Sequence, residues 1–171
     1  IRLPTHATGA MTTSWWAMVV LMLVSAALYG CLVFSYLFLW TVTPQMWPLM
    51  GPDAGYFVGA AALLLASSAL VHATERRVGH SGDCRGLWLA MPLLGAAWVV
   101  SLLAQHDVSP SADGYGAVVH AFLAVDGFFV TVCIVLALFA LARHAAGRVD
   151  PVRRVTFDNA KLFWHYTVAQ S

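Results

Sequence analysis

Four long apolar segments dominate the sequence, and each is long enough to cross a lipid bilayer as a helix. The hydrocarbon core of a bilayer is about 30 Å thick, a distance that about 20 helical residues cover. The segments run from Trp15 to Trp40, from Ala54 to His72, from Gly86 to Gln105 and from Tyr115 to Ala142. Within them, Asp126 is the only Asp, Glu, Lys or Arg. The sequence therefore predicts an all-α transmembrane helical bundle with four complete spans.

Composition and the connecting segments agree with this division. Apolar residues make up 60% of the 171 residues and charged residues only 10%, whereas a soluble domain carries about 25% charged residues. The connections are rich in Pro, Gly and charge, as loops in water are. A fifth apolar stretch from Lys161 to Ser171 is too short to span, and we predict the start of a fifth helix. Because the first residue is Ile1 rather than Met, the chain is expected to be a piece of a longer polypeptide.

The basic residues predict the orientation of the bundle. If the four spans alternate in direction, the N-terminal segment and the second and fourth connections share one side. All nine Lys and Arg residues fall there: Arg2, Arg76, Arg77, Arg85, Arg143, Arg148, Arg153, Arg154 and Lys161. The other side carries Asp53, Asp107 and Asp113 without a basic residue. Since basic residues accumulate in cytoplasmic loops, the N-terminus is predicted to be cytoplasmic.

Asp126 is the main candidate for a functional polar group inside the membrane. It lies 11 residues after Tyr115, about 16 Å along a helix and close to the bilayer midplane. A carboxylate at that depth is costly unless it is neutralised or paired. Two interpretations stay open: a proton or polar relay, or a neutral carboxyl group that hydrogen-bonds to a neighbouring helix.

Three histidines are the other candidate polar positions. His72 and His165 are both predicted near the cytoplasmic face, where they could face each other and hold a haem, whereas His120 lies nearer the outer surface without a partner at its depth. The chain contains no C-x-x-C-H sequence. A bis-histidine membrane cytochrome is therefore an alternative, as is a small proton-coupled transporter that uses Asp126.

Small residues predict close packing. Gly55 and Gly59 have the G-x-x-x-G spacing that lets helices approach closely, and several Ala and Ser residues follow them. The three cysteines, Cys31, Cys84 and Cys133, are far apart and odd in number, so we interpret them as small packing residues rather than a disulfide framework.

Three stretches resemble subunit III of the haem-copper terminal oxidases, the family of cytochrome c oxidase and its quinol-oxidising relatives. The first is LLLASSALVH, from Leu63 to His72, which is similar to a leucine run with a serine pair and a final histidine. The second is AVDGFFV, from Ala124 to Val130, and the third is LFWHY, from Leu162 to Tyr166. Their order and spacing agree with the family over about residues 15–171.

The chain also departs from the family pattern. Its first span has no carboxylate where the family usually has a glutamate, and Asp126 and Phe129 stand where the family has two histidines. The family has seven helices, of which this chain matches the last five. It therefore looks like the subunit III portion of a fused subunit I and III polypeptide. Residues 1–13 would be a linker and residues 14–171 the subunit III-like domain.

The resemblance implies a non-catalytic membrane subunit of an aerobic respiratory oxidase in the bacterial inner membrane. Haem and copper would belong to subunits I and II, and this chain would hold no cofactor, metal or nucleic acid. It would pack against subunit I, possibly within the same polypeptide, bind membrane lipids, and sustain stability and proton uptake. Neither the electron donor, cytochrome c or quinol, nor a proton-carrying role for Asp126 follows from the sequence.

Overall fold

The computed structural model describes residues 13–46, 54–111, 113–149 and 154–171. These residues form five α-helices and one short 3-10 helix, and they contain no strand. The helices are α1 (Thr13–Val42), α2 (Ala54–Ser81), α3 (Leu87–Ala104), α4 (Gly114–Ala145) and α5 (Val155–Gln170); the 3-10 helix is Pro44–Met46. Helices α1 to α4 are long and apolar enough to cross a membrane, which confirms the predicted all-α bundle with four spans.

Two helices differ in length from the prediction. Helix α2 continues past His72 to Ser81, so most of the predicted second loop is helical. The residue after the helix is Gly82, whose positive φ of 72° suits glycine. Helix α5 begins at Val155 rather than Lys161. A helix that extends from the membrane into water can continue through charged residues. The point where the apolar residues stop therefore did not mark the ends of these two helices.

Helices α2 to α5 enclose the core, and α1 lies at the periphery. Helices α2 and α3 form a closely packed hairpin, α4 contacts α3 and α5, and α1 contacts α4 and α5. The core is filled by large side chains that are almost fully buried, among them Val71, Leu87, Leu94, Phe157 and Trp164. By contrast, Ser25 is the only buried residue of α1. Most of the α1 surface is thus left for lipid or another protein.

The basic residues of the described segments gather at one end of the bundle. They lie where α2 ends, α3 begins, α4 ends and α5 begins. Contacts join these ends: His144 Nε2 lies 3.7 Å from Asp83 Oδ1, and Asn159 of α5 hydrogen-bonds to Ser14 at the start of α1. Arg2 and Arg153 fall outside the described residues. That this end faces the cytoplasm stays a prediction.

The closest helix contacts involve other glycines than the predicted pair. Gly55 is exposed, and a Cβ atom at Gly59 would lie 3.9 Å from its nearest neighbour, an ordinary contact. A Cβ atom at Gly127 would instead lie 2.6 Å from Cζ2 of Trp98. Trp98 Nε1 also donates a hydrogen bond to the Leu123 carbonyl oxygen at 3.0 Å. The α3–α4 contact therefore depends on the absence of a side chain at position 127.

We expect Gly127→Ala to destabilise the protein relative to Gly95→Ala. Both glycines are helical, but a Cβ atom at Gly95 would meet nothing within 4 Å, so that variant reports only the gain in helix propensity. Overpacking against Trp98 should cost about 1–3 kcal/mol. Thermal unfolding of the detergent-solubilised protein would measure the difference. Equal melting temperatures for the two variants would contradict the close contact.

Candidate functional site

A seam of polar side chains joins α2 to α5; it comprises Ser67, Ser68, Glu75, Lys161, Trp164 and His165. Ser68 Oγ lies 2.8 Å from His165 Nδ1. Trp164 Nε1 donates to Ser67 Oγ at 3.3 Å, and both residues are fully buried. Ser67 Oγ also donates to the Leu64 carbonyl oxygen of its own helix. The serine pair therefore attaches α5 to α2 by two hydrogen bonds between helices.

The seam ends at the basic end of the bundle in an ion pair. Lys161 Nζ donates to Glu75 Oε1 at 2.5 Å, and each side chain is about one-quarter exposed. Glu75 lies in the polar last turns of α2, beyond the apolar span that ends near His72. The hydrogen bond from Lys161 lowers the pKa of Glu75, against a smaller opposing effect of burial. The carboxylate is thus held in its charged form.

The three candidate histidines have separate hydrogen-bond partners. His165 Nδ1 contacts Ser68, whereas the exposed His72 has its Nδ1 3.4 Å from Glu75 Oε2. His120 Nδ1 lies 2.9 Å from the Gly116 carbonyl oxygen of its own helix. Across residues 13–46, 54–111, 113–149 and 154–171, no three His, Cys, Asp or Glu side chains gather as metal ligands would.

Asp126 lines a cavity of about 570 Å³ to which all five helices contribute. Its Oδ1 lies 2.9 Å from Ser171 Oγ at the end of α5. Gln105 also lines the cavity, and its buried Oε1 has no hydrogen-bond partner among the described residues. The remaining lining is mainly apolar and includes Phe57 and Phe122. The contact with Ser171 is a hydrogen bond between α4 and the end of α5. A hydrogen bond of this kind is what the second interpretation of Asp126 expects.

Aromatic contacts connect the second resembling stretch, from Ala124 to Val130 on α4, to helix α5. The Phe129 ring packs on those of Phe163 and Tyr166, with centroids 6.0 and 6.3 Å apart. The three stretches that carry the family resemblance therefore meet around α5: the serine pair through hydrogen bonds, and the α4 stretch through its aromatic rings. Phe129, at a position where the family has histidine, is a buried packing residue in this chain.

The cysteines agree with the packing interpretation at two positions out of three. Cys84 and Cys133 are free and fully buried. The Cys133 thiol lies 3.2 Å from Thr167 Oγ1. Burial raises the pKa of Cys84, which lies in the loop between α2 and α3, so its thiol is protonated at neutral pH. Cys31, in contrast, is exposed on α1, so its predicted role as a core residue was wrong.

Sequence reasoning did not find the partners that complete the seam. It named Lys161 and the serine pair separately without connecting them to each other or to Glu75, and it did not single out Gln105. One signal was present: Lys161, Trp164 and His165 have the i, i+3, i+4 spacing of a single helix face. A polar stripe of that kind on one face of a helix indicates a polar counterpart on the facing helix.

We expect Ser67→Ala to destabilise the bundle, because it leaves the buried Trp164 N–H without its acceptor. Hydrogen bonds between membrane helices contribute about 0.6 kcal/mol on average and at most about 1.7. Ser35→Ala is the control, since Ser35 is exposed and bonds only to the Cys31 carbonyl oxygen of its own helix. Unfolding in a graded denaturing detergent would compare them. A loss as large in Ser35→Ala would refute a specific role for Ser67.

A second prediction concerns the ion pair and its dependence on pH. Glu75→Gln and Lys161→Met should each destabilise the fold by roughly 1–3 kcal/mol. A hydrogen bond to a charged group is lost, and the remaining charged side chain is only about one-quarter exposed. Because the pKa of Glu75 is lowered on folding, the pair's contribution is present above its ordinary value of 4.5. It is lost as the pH falls through the lower folded pKa.

Stability measured against pH in wild type, both single variants and the double variant would check this. The double variant should lose less than the sum of the two single losses. Strictly additive losses, or a wild-type acid transition that persists unchanged in Glu75→Gln, would contradict the coupling.

Comparisons with known proteins add no family assignment. No protein-family model matches the chain, and no curated protein matches it. The resemblance to oxidase subunit III therefore depends on the three stretches of sequence and on their meeting around α5.

Proposed function

We propose that this chain is a non-catalytic, subunit III-like part of an aerobic haem-copper oxidase. In that role it packs against subunit I, whether in the same polypeptide or in another, and sustains its stability and proton uptake while cytochrome c or quinol is oxidised and oxygen is reduced to water. Subunits I and II supply the haem and copper. The enzyme activity belongs to the complex, and this chain contributes structure.

One observation carries this proposal: the three stretches that resemble subunit III come together in space. Trp164 and His165 of the third stretch bond to Ser67 and Ser68 of the first. Phe129 of the second packs against Phe163 of the third. Helix α5 packs against both α2 and α4, so the third stretch lies where it can contact the other two. Their contact is what a shared structural unit would require.

The proposed location is the bacterial inner membrane with the N-terminus in the cytoplasm. The grouping of basic residues at one end of the bundle supports this orientation, because cytoplasmic loops are enriched in Lys and Arg. The broad exposed surface of α1, on which Phe34 is 70% exposed and Phe38 56%, is available for contact with subunit I or with lipid.

Affinity purification of the tagged protein from its native membrane tests the proposal. We expect subunits I and II to co-purify, with a haem spectrum and oxygen consumption in the purified complex. Trp164→Ala should reduce their recovery, whereas Leu89→Ala, at a residue 64% exposed on α3, should reduce it less. Recovery of the chain without haem-copper subunits would overturn the proposal. So would a Soret band in the isolated chain that disappears in His72→Ala or His165→Ala, which would indicate the membrane cytochrome.

A second candidate, a small proton-coupled transporter, is favoured by the placement of Asp126. This carboxyl group shares a 570 Å³ cavity with Gln105 Oε1, which has no hydrogen-bond partner in the described segments. Intramembrane carboxyl groups commonly mark ion pathways. Transport by the chain alone in liposomes, abolished by Asp126→Asn, would support this candidate against the first. Liposomes that stay tight to protons and solutes would exclude it.

A further inference from the structure

The cavity at Asp126 is open to the membrane on one side. Phe57 and Leu65 of α2 both line it, although they are 54% and 68% exposed. Helix α1 packs against α4 and α5, whereas in the described segments it shares at most a marginal contact with α2. The cavity therefore opens between α1 and α2, where a molecule dissolved in the bilayer can enter it. Its volume of about 570 Å³ lies in the range of small-molecule sites, about 300–1,000 Å³.

The charges around this cavity are one-sided. Asp126 and Tyr29 are the only titratable side chains among the described residues of the lining, which include no Lys, Arg or His. The partner of Asp126 is the uncharged hydroxyl group of Ser171. Gln105 adds a second acceptor, an Oε1 atom without a hydrogen-bond partner in the described segments. A carboxylate inside a membrane is costly unless it is neutralised or paired, and the described lining supplies no positive charge for it.

Aromatic rings form part of the wall. The rings of Tyr29 and Phe122 pack edge to face with their centroids 5.2 Å apart, and Phe57 lines the cavity from α2. Most other lining residues are Ala, Leu and Val. Aromatic rings attract organic cations, and the attraction is stronger where water is excluded. The wall therefore suits a cation that carries aromatic or alkyl groups better than a hydrated metal ion.

We propose that this cavity binds a lipophilic monocation, such as an ammonium ion that carries aromatic or branched alkyl groups. Asp126 supplies the single counter-charge, and the rings of Tyr29, Phe57 and Phe122 hold the organic groups. A phospholipid is a poorer occupant, because its phosphate would be repelled by the Asp126 carboxylate. The proposal depends on neither the oxidase role nor the transporter role, since it follows from the charge and shape of the cavity.

Equilibrium binding of radiolabelled tetraphenylphosphonium to the full chain in mild detergent tests the proposal. Tetraphenylborate, an anion of nearly the same shape, is the matched probe. Wild type should bind one cation per chain in a saturable manner and should bind the anion weakly. Asp126→Asn should weaken cation binding by about tenfold or more, because the counter-charge inside an apolar cavity is lost. Asp126→Glu, which keeps the charge, should retain most of the affinity.

Matched controls separate the cavity from general surface effects. The Asp107 side chain is 87% exposed between α3 and α4 and does not line the cavity, so Asp107→Asn should leave binding unchanged. Phe57→Ala should weaken cation binding about two- to fivefold, as the loss of one ring beside a cation does. Phe34→Ala, at a ring 70% exposed on α1 and outside the cavity, should not.

Three results would overturn the proposal. Cation binding that does not saturate above the level of empty micelles would mean that the cavity is not a site. Equal affinity for tetraphenylborate would mean an apolar cavity without charge selection. Equal losses in Asp126→Asn and Asp107→Asn would mean attraction to surface charge. Saturable, Asp126-dependent binding would support the proposal even in a chain that neither co-purifies with haem-copper subunits nor transports protons.

Discussion

Backbone hydrogen bonding in a medium without water is the constraint on which this structure depends. Every N–H and C=O group within the hydrocarbon must find a partner in the protein, and a helix supplies one for each. Most hydroxyl groups on the spans follow the same rule locally. Ser25, Ser35 and Thr131 each donate to the carbonyl oxygen four residues earlier. Only a few polar side chains are left to connect one helix to another, so those few determine how the bundle is joined.

Helix α5 carries a large share of these connections. It is attached to α2 by Ser67 and Ser68, to α1 through Asn159, and to α4 by its aromatic rings. Its charged first turns place Lys161 against Glu75 at the basic end of the bundle, where water can still solvate the pair. Helix α1 has fewer such contacts and exposes most of its surface. The proposed role as a supporting subunit would need both features: a firmly joined interior and an apolar surface for its partner.

The polar groups of the bundle differ in how completely their hydrogen bonds are matched. In the α2–α5 seam, Lys161, Trp164 and His165 each contact a polar side chain of α2. Asp126 and Gln105 are less completely matched, since the Gln105 oxygen lacks a partner in the described part of the chain. Unmatched polar groups inside a membrane are costly. The seam thus joins helices α2 and α5, and a proton-carrying role for Asp126 stays a prediction.

The sequence by itself determined the number of spans, their approximate limits, the grouping of the basic residues and the intramembrane position of Asp126. Each of these depends on length and on local apolar character, which tertiary contacts do not alter. Only the tertiary structure decided that Gly127 rather than Gly59 allows a close approach, and that Ser68 pairs with His165. A helix that is apolar on all sides has no preferred face in its sequence, so nothing local distinguishes lipid from a neighbouring helix. The packing of the other helices makes that distinction.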